Sequence, residues 1–471
     1  MRKTKIVCTL GPASDSEEKI EQLILGGMNA ARFNFSHGTH ESHLETLNRL
    51  KKVRDRLGLP VAAMLDTKGP EIRIKKFENG PIALNDGDMF TLTTEDIPGT
   101  QDKVSVTYEN LHCELKQGDR VLIDDGLVEL NVSEIKGRDI ICRVVTGGTL
   151  SNNKSINLPG SSIRLPSMTE KDIADITFAC EQGFDFIAAS FVRKAQDIRD
   201  IRALLDSHGG GRIQIIAKIE NREGVDNLRD ILNEADGVMV ARGDLGVEIP
   251  ASEVPVIQKE MIEMSISLGK TVITATQMLD SMIRNPRPTR AEVSDVANAV
   301  FDGSSAVMLS GESASGKYPI ESVKTMAEIV ERAEGAINYW KRFAQREAAC
   351  DTVPLAIAHT ACMTARDLDA KAILAATTSG YTAKMISRFM PGCFVAAVTT
   401  SESVRRSLAL TWGVTPYLTG SADSTDRMFS LCAETAQKEG IAQKGDRVVI
   451  TAGVPIGCSG TTNLIKADTI K

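Results

Sequence analysis

Short apolar runs recur along the first two thirds of the chain, and longer stretches with helical periodicity separate them. Apolar runs of this kind are typical of strands that are buried on both faces, as in a parallel sheet. A parallel strand needs a crossover, usually a helix, before the next strand, so eight strand–helix units predict a (β/α)8 TIM barrel. The eight runs are residues 6–10, 30–35, 61–65, 186–190, 214–219, 237–241, 271–275 and 306–310.

Amphipathic stretches between these runs predict the helices of the barrel. Asp15 and Ser252 are predicted to cap two of them, since each precedes an acidic residue that suits a helix N-terminus. The predicted helices are 16–25, 41–57, 169–182, 252–268 and 289–301.

The strand–helix spacing is interrupted between the third and the fourth run, where about 120 residues replace a single helix. The segment has alternating polarity and hairpin-type turns such as Asn79-Gly80 and Asp125-Gly126. It predicts an all-β domain, a small β-barrel, inserted as a cap between Pro70 and Pro166. Its predicted strands are 71–77, 89–94, 103–108, 121–123, 127–132 and 140–145.

A separate strand–helix alternation begins after about residue 345 and predicts an open α/β domain of four or five strands. Strands are predicted at 372–376, 394–398 and 447–451, with helices at 354–368, 383–389, 403–410 and 425–438. The predicted organisation is therefore barrel 1–69, cap 70–166, barrel 167–344 and C-terminal domain 345–471.

Composition narrows the class of protein. A length of 471 residues suits about three domains, and 42% hydrophobic with 25% charged residues is ordinary for a soluble globular protein. The net charge of −7 is spread without a basic stripe, which argues against nucleic acid as a partner. No apolar stretch reaches the roughly 18 residues of a membrane span. The nine cysteines include no C-x-x-C pair, which predicts reduced thiols and a cytoplasmic location.

Charged and hydroxyl-bearing residues lie at or just after the carboxyl ends of five of the eight predicted barrel strands. Active sites of such barrels lie at the carboxyl ends of the strands, so these side chains are expected to converge. They could be interior groups that satisfy one another, but buried charges are costly, and this density favours a ligand or metal site. The residues are Arg32, Asn34, Ser36, Asp66, Thr67, Lys218, Glu220, Asp244 and Thr276.

The set suits phosphoryl transfer. Glu220 and Asp244 offer carboxylate oxygens to Mg²⁺, and Arg32 can bind two phosphate oxygens. Lys218 can neutralise charge on a phosphoryl group in transfer. Oxygen donors that together carry one formal charge, and so suit a monovalent cation, are Asn34, Ser36, Asp66 and Thr67.

Five segments resemble the signature motifs of the pyruvate kinase family. The resemblance runs from Lys5 to the C-terminus, keeps the order and spacing of the motifs, and implies the same three-part plan. The segments are Asn-Phe-Ser-His-Gly at 34–38, Met-Leu-Asp-Thr-Lys-Gly-Pro-Glu-Ile-Arg at 64–73, the strand of Lys218 and Glu220, Val-Ala-Arg-Gly-Asp-Leu-Gly-Val-Glu at 240–248, and Ile-Thr-Ala-Thr-Gln-Met-Leu-Asp-Ser-Met at 273–282.

The resemblance implies a reaction in which phosphoenolpyruvate and ADP give pyruvate and ATP. It implies that Glu220 and Asp244 hold Mg²⁺, that Arg32 binds the phosphate and that Lys218 stabilises the transferring group. The substrate carboxylate would meet Thr276 and the backbone of Gly243 and Asp244. The implied K⁺ ligands are Asn34, Ser36, Asp66 and Thr67, and the implied nucleotide-binding residues are Asn34, His37, Arg73 and Lys154.

Three positions refine what the resemblance implies. Glu71 is typical of K⁺-dependent members, so we expect K⁺ dependence. Ser155 follows Lys154 where the family usually has Gly, and Ser305 stands where it usually has Asp. A cap hinged at Pro70 and Pro166 would close over the site and exclude water.

A second candidate site lies in the C-terminal domain, where residues 376–382 follow a strand and open a helix. Hydroxyls and backbone N–H groups there could bind an anion or simply cap the helix. The resemblance implies a sugar-phosphate effector, fructose 1,6-bisphosphate, and a homotetramer. The implied effector residues are Thr377, Thr378, Ser379, Gly380, Thr382, Gly453, Ser459 and Gly460.

Three further features carry weaker hypotheses. Residues 311–318 nearly match a P-loop, but Tyr318 stands where that motif requires a serine or threonine. His37, His40 and His43 could bind zinc, although solvent-facing helix positions are the preferred interpretation. Residues 209–211, three glycines, are interpreted as a flexible loop.

Two other classes of function stay open at this point. A metal-dependent lyase or aldolase could use the same carboxylates and lysine without a nucleotide, and a non-catalytic sensor could use only the C-terminal pocket. The cap with Arg73 and Lys154 argues against the lyase, and intact Lys218 argues against the sensor.

Overall fold

The structure, a computed structural model, describes residues 2–161, 163–346, 350–457 and 460–471. Elements are numbered along the chain, and eight parallel strands form a closed barrel in which the nine strands of the cap separate β3 from β13. All eight predicted barrel strands are confirmed. They are β1 (Lys5–Thr9), β2 (Ala30–Asn34), β3 (Ala62–Asp66), β13 (Phe186–Ala189), β14 (Gln214–Ile219), β15 (Gly237–Ala241), β16 (Thr271–Ala275) and β17 (Ala306–Leu309).

The helices around the barrel confirm the predicted positions, but two predicted caps are wrong. Ser16, not Asp15, caps α1, because its side chain accepts the N–H of Lys19. Ser252 does not cap α9, which begins with a proline in its first turn and has no side-chain cap; a proline there lacks the N–H that a cap would satisfy. The helices are α1 (Glu17–Gly26), α2 (His40–Leu57), α4 (Glu170–Gln182), α5 (Ala195–Ser207), α6 (Arg222–Asp226), α7 (Leu228–Glu234), α8 (Arg242–Glu248), α9 (Val254–Leu268), α10 (Arg290–Asp302), α11 (Gly311–Ala314), α12 (Pro319–Gly335) and α13 (Tyr339–Gln345).

The cap is a curved seven-stranded sheet with a separate two-stranded sheet. Ile74 pairs with Val106, which joins the two edges of the larger sheet. The predicted strand 71–77 shortens to β4 because the chain changes strand partners there. The elements are β4 (Ile72–Arg73), β5 (Ile82–Leu84), β6 (Met89–Thr93), β7 (Lys103–Ser105), α3 (Leu111–Glu114), β8 (Arg120–Ile123), β9 (Val128–Lys136), β10 (Asp139–Thr146), β11 (Gly148–Leu150) and β12 (Ser155–Asn157).

The C-terminal domain holds a five-stranded sheet in the order β20-β19-β18-β21-β22, with β22 antiparallel. Sequence patterns missed β20 and β22, the edge strands, because β20 contains Pro416 and β22 is mostly polar, without a regular alternation. The elements are α14 (Val353–Asp367), β18 (Ala372–Ala376), α15 (Tyr381–Arg388), β19 (Phe394–Thr399), α16 (Glu402–Ser407), β20 (Val414–Leu418), α17 (Thr425–Lys438), β21 (Arg447–Gly453) and β22 (Thr462–Thr469). The domain boundaries at 70, 166 and 345 stay a prediction.

The barrel interior is packed from aliphatic residues and methionine, together with Phe186, and this explains the scarcity of aromatic residues. Ala409 and Leu410 of the C-terminal domain join that interior cluster. Lys5 Nζ at the start of β1 donates to the carbonyl of Val414, 2.6 Å away. The C-terminal domain therefore covers the amino ends of the barrel strands and leaves the carboxyl ends free for a site.

Candidate active site

Four charged side chains form a chain of ion pairs at the carboxyl ends of β2, β3 and β14. Asp66 joins two of the cations: Arg32 Nε lies 2.5 Å from Oδ2, and Lys218 Nζ lies 3.1 Å from Oδ1. Lys218 Nζ also lies 2.9 Å from Oε1 of Glu220. None of the four side chains is more than 11% exposed. The predicted convergence of charges at the strand ends is thus present as direct contacts.

The pairing shifts the pKa values of these groups. Burial alone would lower the pKa of Lys218, but the carboxylates of Asp66 and Glu220 outweigh it and raise the pKa above its ordinary value. Burial would raise the pKa of Asp66, yet Arg32 and Lys218 hold it below its usual range. Lys218 and Asp66 are therefore charged at neutral pH, and the site keeps a fixed positive charge at its centre.

Ser190 and Phe191 complete the charged cluster, and sequence patterns missed both. Ser190 Oγ accepts a hydrogen bond from Lys218 Nζ at 2.7 Å and donates to the carbonyl of Thr67 at 2.6 Å. The backbone N–H of Phe191, whose φ is +55°, donates to Oε2 of Glu220 at 2.7 Å. Ser190 is the last residue of the predicted fourth strand and shares a face with Ala188, so reading that strand end for polar residues would have found it.

Glu220 and Asp244 have the character of a divalent-cation site. Burial raises the pKa of Glu220 to about 7 against the effect of Lys218, and the charge of Asp244 adds to the rise. Two carboxylates close enough to influence each other's ionisation suit a hard dication, and Mg²⁺ typically takes one or two protein carboxylates. Within the described ranges no cluster of three or more His, Cys, Asp or Glu side chains is arranged for a metal.

The residues proposed for a monovalent cation lie on neighbouring strands. Asn34 and Asp66 are register partners in β2 and β3. Asn34 Oδ1 accepts the N–H of Ser36 at 3.2 Å, and Thr67 Oγ1 accepts the N–H of Ser190 at 3.1 Å. The structure brings these oxygen donors to one side of the mouth, next to the charged cluster.

Thr276 and Gly243 meet at the ends of β15 and β16. The N–H of Gly243 donates to Thr276 Oγ1 at 2.8 Å. Asp244 follows in the first turn of α8, so the three residues that are predicted to receive the substrate carboxylate form one group.

Arg73 and Lys154, predicted to bind the nucleotide, are held by groups of the cap itself. Arg73 Nε lies 2.8 Å from Oε2 of Glu71, and its Nη1 donates to the carbonyl of Asn153 at 2.6 Å. Lys154 Nζ lies 2.9 Å from Oδ1 of Asp124. His37 is exposed in the turn that precedes α2. The structure does not place these three residues in contact with the charged cluster.

A cleft of about 470 Å³ separates the cap from the barrel mouth. Asn157 of β12 donates to Glu248 of α8 across it, at 3.0 Å, and burial raises the pKa of Glu248. The cap therefore touches the barrel beside the proposed metal carboxylates. Residues of the cleft wall include Glu71, Ser155, Asn157, Phe191, Arg193, Asp244 and Glu248.

The second candidate site is a cavity of about 90 Å³ at the carboxyl ends of the C-terminal sheet. The hydroxyls of Thr382 and Thr462 lie 2.7 Å apart, and the N–H of Gly380 donates to Thr377 Oγ1 at 2.9 Å. Ser459 lies outside the described residues. Predicted effector residues that line the cavity are Thr377, Thr378, Ser379, Thr382, Gly453 and Gly460.

The structure also tests the weaker hypotheses on the histidines, the P-loop-like segment and the three glycines. The solvent-facing interpretation of the histidines holds for His37, which is exposed, and fails for His43, which stacks on Phe35 with ring centroids 4.1 Å apart. His40 is intermediate, because it stacks on Phe178 and bonds Asp175 while its side chain stays 37% exposed. The P-loop-like segment forms the short α11 and then α12, which begins at Pro319. Residues 209–211 form the predicted loop. No helix of the described residues has the length and apolar character for crossing a membrane.

An eight-stranded barrel whose mouth holds fixed cations beside two carboxylates, under a cap with further cations, defines a phosphotransferase of the barrel class. Comparison with known proteins gives the family. The model of the pyruvate kinase barrel domain matches residues 1–323, and that of the pyruvate kinase alpha/beta domain matches residues 355–467. The chain belongs to the pyruvate kinase family.

Individual relatives agree with this assignment over the whole chain. The pyruvate kinase of Geobacillus stearothermophilus is 52% identical over 100% of this chain and 80% of its own length. That of Clostridium acetobutylicum is 50% identical over 100% of both chains. The crystal structure of a pyruvate kinase from Cryptosporidium parvum has a TM-score of 0.94 and 40% identity, and covers 100% of this chain and 96% of that one.

Proposed function

We propose that the protein transfers the phosphoryl group of phosphoenolpyruvate to ADP, giving pyruvate and ATP, with Mg²⁺ and K⁺ required. The observation that carries this proposal is Lys218, buried at the barrel mouth and held by Asp66, Glu220 and Ser190. A fixed cation in a buried site stabilises charge that develops in a transition state without having to reorganise.

Arg32 and Lys218 act on the phosphoryl group in this proposal. Arg32 is fixed by Asp66 and donates to Thr9 Oγ1 at 3.0 Å, which leaves Nη2 to bind phosphate oxygens. Lys218 stays protonated because Asp66 and Glu220 raise its pKa, so it offers positive charge to the group in transfer.

Glu220 and Asp244 would hold Mg²⁺, which when bound would neutralise substrate charge and polarise phosphoryl and carboxylate oxygens. Asn34, Ser36, Asp66 and Thr67 would hold K⁺. The raised pKa of Glu220 supports the assignment of Mg²⁺ to these carboxylates. The positions of Asn34 and Asp66 on neighbouring strands support the assignment of K⁺.

Thr276 and the backbone of Gly243 and Asp244 would receive the substrate carboxylate. After phosphoryl transfer the enolate carbon accepts a proton to become the methyl group of pyruvate, and Thr276 would lie beside that carbon. Its contact with the N–H of Gly243 supports a common role for the two residues.

The cap would close on the nucleotide and exclude water, which would otherwise compete as phosphoryl acceptor. Arg73, Lys154, His37 and Asn34 would bind ADP, with Arg73 and Lys154 exchanging Glu71 and Asp124 for phosphate oxygens. The contact between Asn157 and Glu248 supports a cap that rests on the barrel beside the metal site.

The C-terminal cavity would bind a sugar phosphate, fructose 1,6-bisphosphate, as an activator of a homotetramer. Its hydroxyl-rich wall and the start of α15 support an anionic ligand with several oxygens. The cytoplasmic location stays a prediction from the spacing of the cysteines.

One coupled assay tests the reaction against its alternatives. Formation of pyruvate from phosphoenolpyruvate that requires ADP, Mg²⁺ and K⁺ is the expected result. Turnover without ADP would identify a lyase, and no turnover under any of these conditions would identify a non-catalytic sensor.

A further inference from the structure

Thr276 has a backbone conformation that its side chain disfavours. Its φ is +69°, and that of Gln277 is +55°. A β-branched residue is an outlier in this left-handed region. Such conformations persist only where the surroundings hold them, and they are concentrated at active sites. The segment that follows β16 therefore depends on restraints from other elements.

Arg242 provides the most direct restraint. Its Nε lies 3.3 Å from the carbonyl oxygen of Ala275 and 3.2 Å from that of Thr276, and its Nη2 lies 2.6 Å from the same Thr276 oxygen. The guanidinium is planar and its donors point in fixed directions, so one side chain holds two successive peptide groups. A lysine in this position could not make the same set of contacts.

Asp295 of α10 holds Arg242 from the other side. Nη1 of Arg242 lies 2.8 Å from Oδ1 and 2.7 Å from Oδ2 of Asp295. The Arg242 side chain is 11% exposed, and that of Asp295 is 34% exposed. The guanidinium is thus oriented by a carboxylate on an outer helix while its remaining donors face the strand end.

Arg242 also immediately precedes Gly243, whose N–H donates to Thr276 Oγ1. The backbone that follows Arg242 contacts the Thr276 hydroxyl, and the Arg242 side chain contacts the Thr276 carbonyl. Arg242 and the residue that follows it therefore fix both the hydroxyl and the carbonyl of Thr276 relative to α8.

We propose that Arg242, oriented by Asp295, is a positioning residue that aims the Thr276 hydroxyl at the reacting substrate. The inference rests on the proposed role of Thr276 at the substrate carboxylate and the enolate carbon. Arg242 itself acts through Thr276 and not on the phosphoryl group.

The test compares five variants with the parent enzyme: Arg242→Lys, Asp295→Asn, Thr276→Val, the double variant Arg242→Lys/Thr276→Val, and Asp302→Asn. Asp302 is the matched control, since it also pairs from α10 with a cation, Lys259. Steady-state assays give kcat and both KM values. Proton NMR in D₂O gives the rate at which the methyl hydrogens of pyruvate exchange with solvent in the presence of Mg²⁺, K⁺ and ATP. Thermal unfolding reports stability.

Arg242→Lys is expected to lower kcat and methyl exchange together by about 100-fold, since small displacements at a reacting centre have effects of that size. Asp295→Asn should show the same pattern at about tenfold, with the KM for ADP and the Tm close to those of the parent. The double variant should be no slower than Thr276→Val, because both changes remove one function. Asp302→Asn should match the parent.

Methyl exchange within about twofold of the parent in both Arg242→Lys and Asp295→Asn would overturn the proposal. Losses that multiply in the double variant would overturn it as well, since Arg242 would then act independently of Thr276. Methyl exchange at the parent rate in Thr276→Val would show that Thr276 does not have the proposed role. The inference about Arg242 would then be wrong as well. If the parent makes no pyruvate with ADP, the proposed function fails, which the assay of the parent shows separately.

Discussion

The barrel and the C-terminal domain each place a polar site at the carboxyl ends of parallel strands, but they build it from different groups. The barrel site consists of buried charges that pair with one another, namely Arg32, Asp66, Lys218 and Glu220. None of the described residues that line the C-terminal cavity is charged, and its polar groups are hydroxyls and backbone amides.

Paired buried charges suit catalysis, whereas neutral hydroxyls and amides suit reversible binding. Charges that are fixed in advance stabilise a transition state because nothing has to reorganise as the reaction proceeds. Neutral donors at a helix start bind an anion with less energy and release it readily, which suits an effector. Changes to the barrel site should therefore affect turnover strongly, and changes to the cavity should affect only the response to the effector.

The largest effect is expected for Lys218→Met. Removal of the fixed cation should lower kcat about 10³-fold, the size found when one group that stabilises transition-state charge is lost. The coupled assay at saturating substrates measures it. Lys259→Met, which removes an exposed lysine that pairs with Asp302, is the control and should keep the parent rate. A Lys218→Met enzyme within tenfold of the parent would mean that the charge of Lys218 is not used in transfer.

Ser190→Ala should have the next largest effect. The change leaves Lys218 paired with two carboxylates but removes its hydrogen bond to Oγ, so kcat should fall about tenfold, the cost of one hydrogen bond to a charged group. The same coupled assay measures the change. Ser207→Ala, an exposed serine on α5, is the control, and equal rates in the two variants would contradict a positioning role for Ser190.

Glu71→Lys is expected to reduce the requirement for K⁺. A cation at this position would replace the carboxylate that pairs with Arg73, and the charge it adds should lower the activation by K⁺ about tenfold. Rates with and without K⁺ at constant ionic strength measure that ratio. The interpretation of Glu71 is wrong if the variant needs K⁺ as much as the parent does.

Thr382→Val should weaken the effector response. Loss of the hydroxyl that pairs with Thr462 should raise the concentration of fructose 1,6-bisphosphate needed for half activation up to about tenfold. Half-saturation by phosphoenolpyruvate across an effector titration measures the shift. Thr360→Val, on α14 and outside the cavity, is the control. No response to the effector in the parent would refute the proposed ligand of the cavity.

The last prediction concerns stability and not turnover, at the contact that joins the two regions, between Lys5 of β1 and Val414 of β20. Burial lowers the pKa of Lys5 from 10.5 to about 7. Between these values the unfolded chain binds a proton that the folded protein lacks, so the free energy of unfolding should rise with pH from about 7 to about 10.5. Below about pH 7 both states carry the proton, and the contribution becomes constant and destabilising.

The slope from this group is at most about 1.4 kcal/mol per pH unit. Lys5→Met should abolish that part of the pH dependence, which urea unfolding at pH 7, 8 and 9 measures. Parallel curves for the variant and the parent would show that Lys5 does not titrate in this range.

Much of the site was predictable because strand ends can be located in sequence. Lys218 lies near the end of an apolar run, Glu220 and Asp244 follow such runs, and carboxyl ends of parallel strands meet at one rim. The residues that these side chains contact were harder to predict from the sequence. The bond between Ser190 and Lys218 joins residues 28 positions apart, and although consecutive strands of the predicted barrel are expected to be neighbours, no local pattern shows that this serine contacts the lysine.

The prediction for His40 and His43 shows another limit of local sequence patterns. Spacing along the chain suggested that His40 and His43 face solvent, but Phe35 and Phe178 lie against them. These aromatic residues belong to other elements, and their position depends on how α2 and α4 pack on the barrel. Periodicity within one helix cannot reveal such contacts.

The sequence by itself determined the eight buried strands, the inserted β cap, the α/β domain and the polar residues at the strand ends. It could do so because periodicity and strand length are local properties of the chain. Only the tertiary structure decided which charges touch, how Arg242 turns back to hold Thr276, and where edge strands β20 and β22 pair. Those features depend on distances between segments remote in sequence, which are set when the barrel closes.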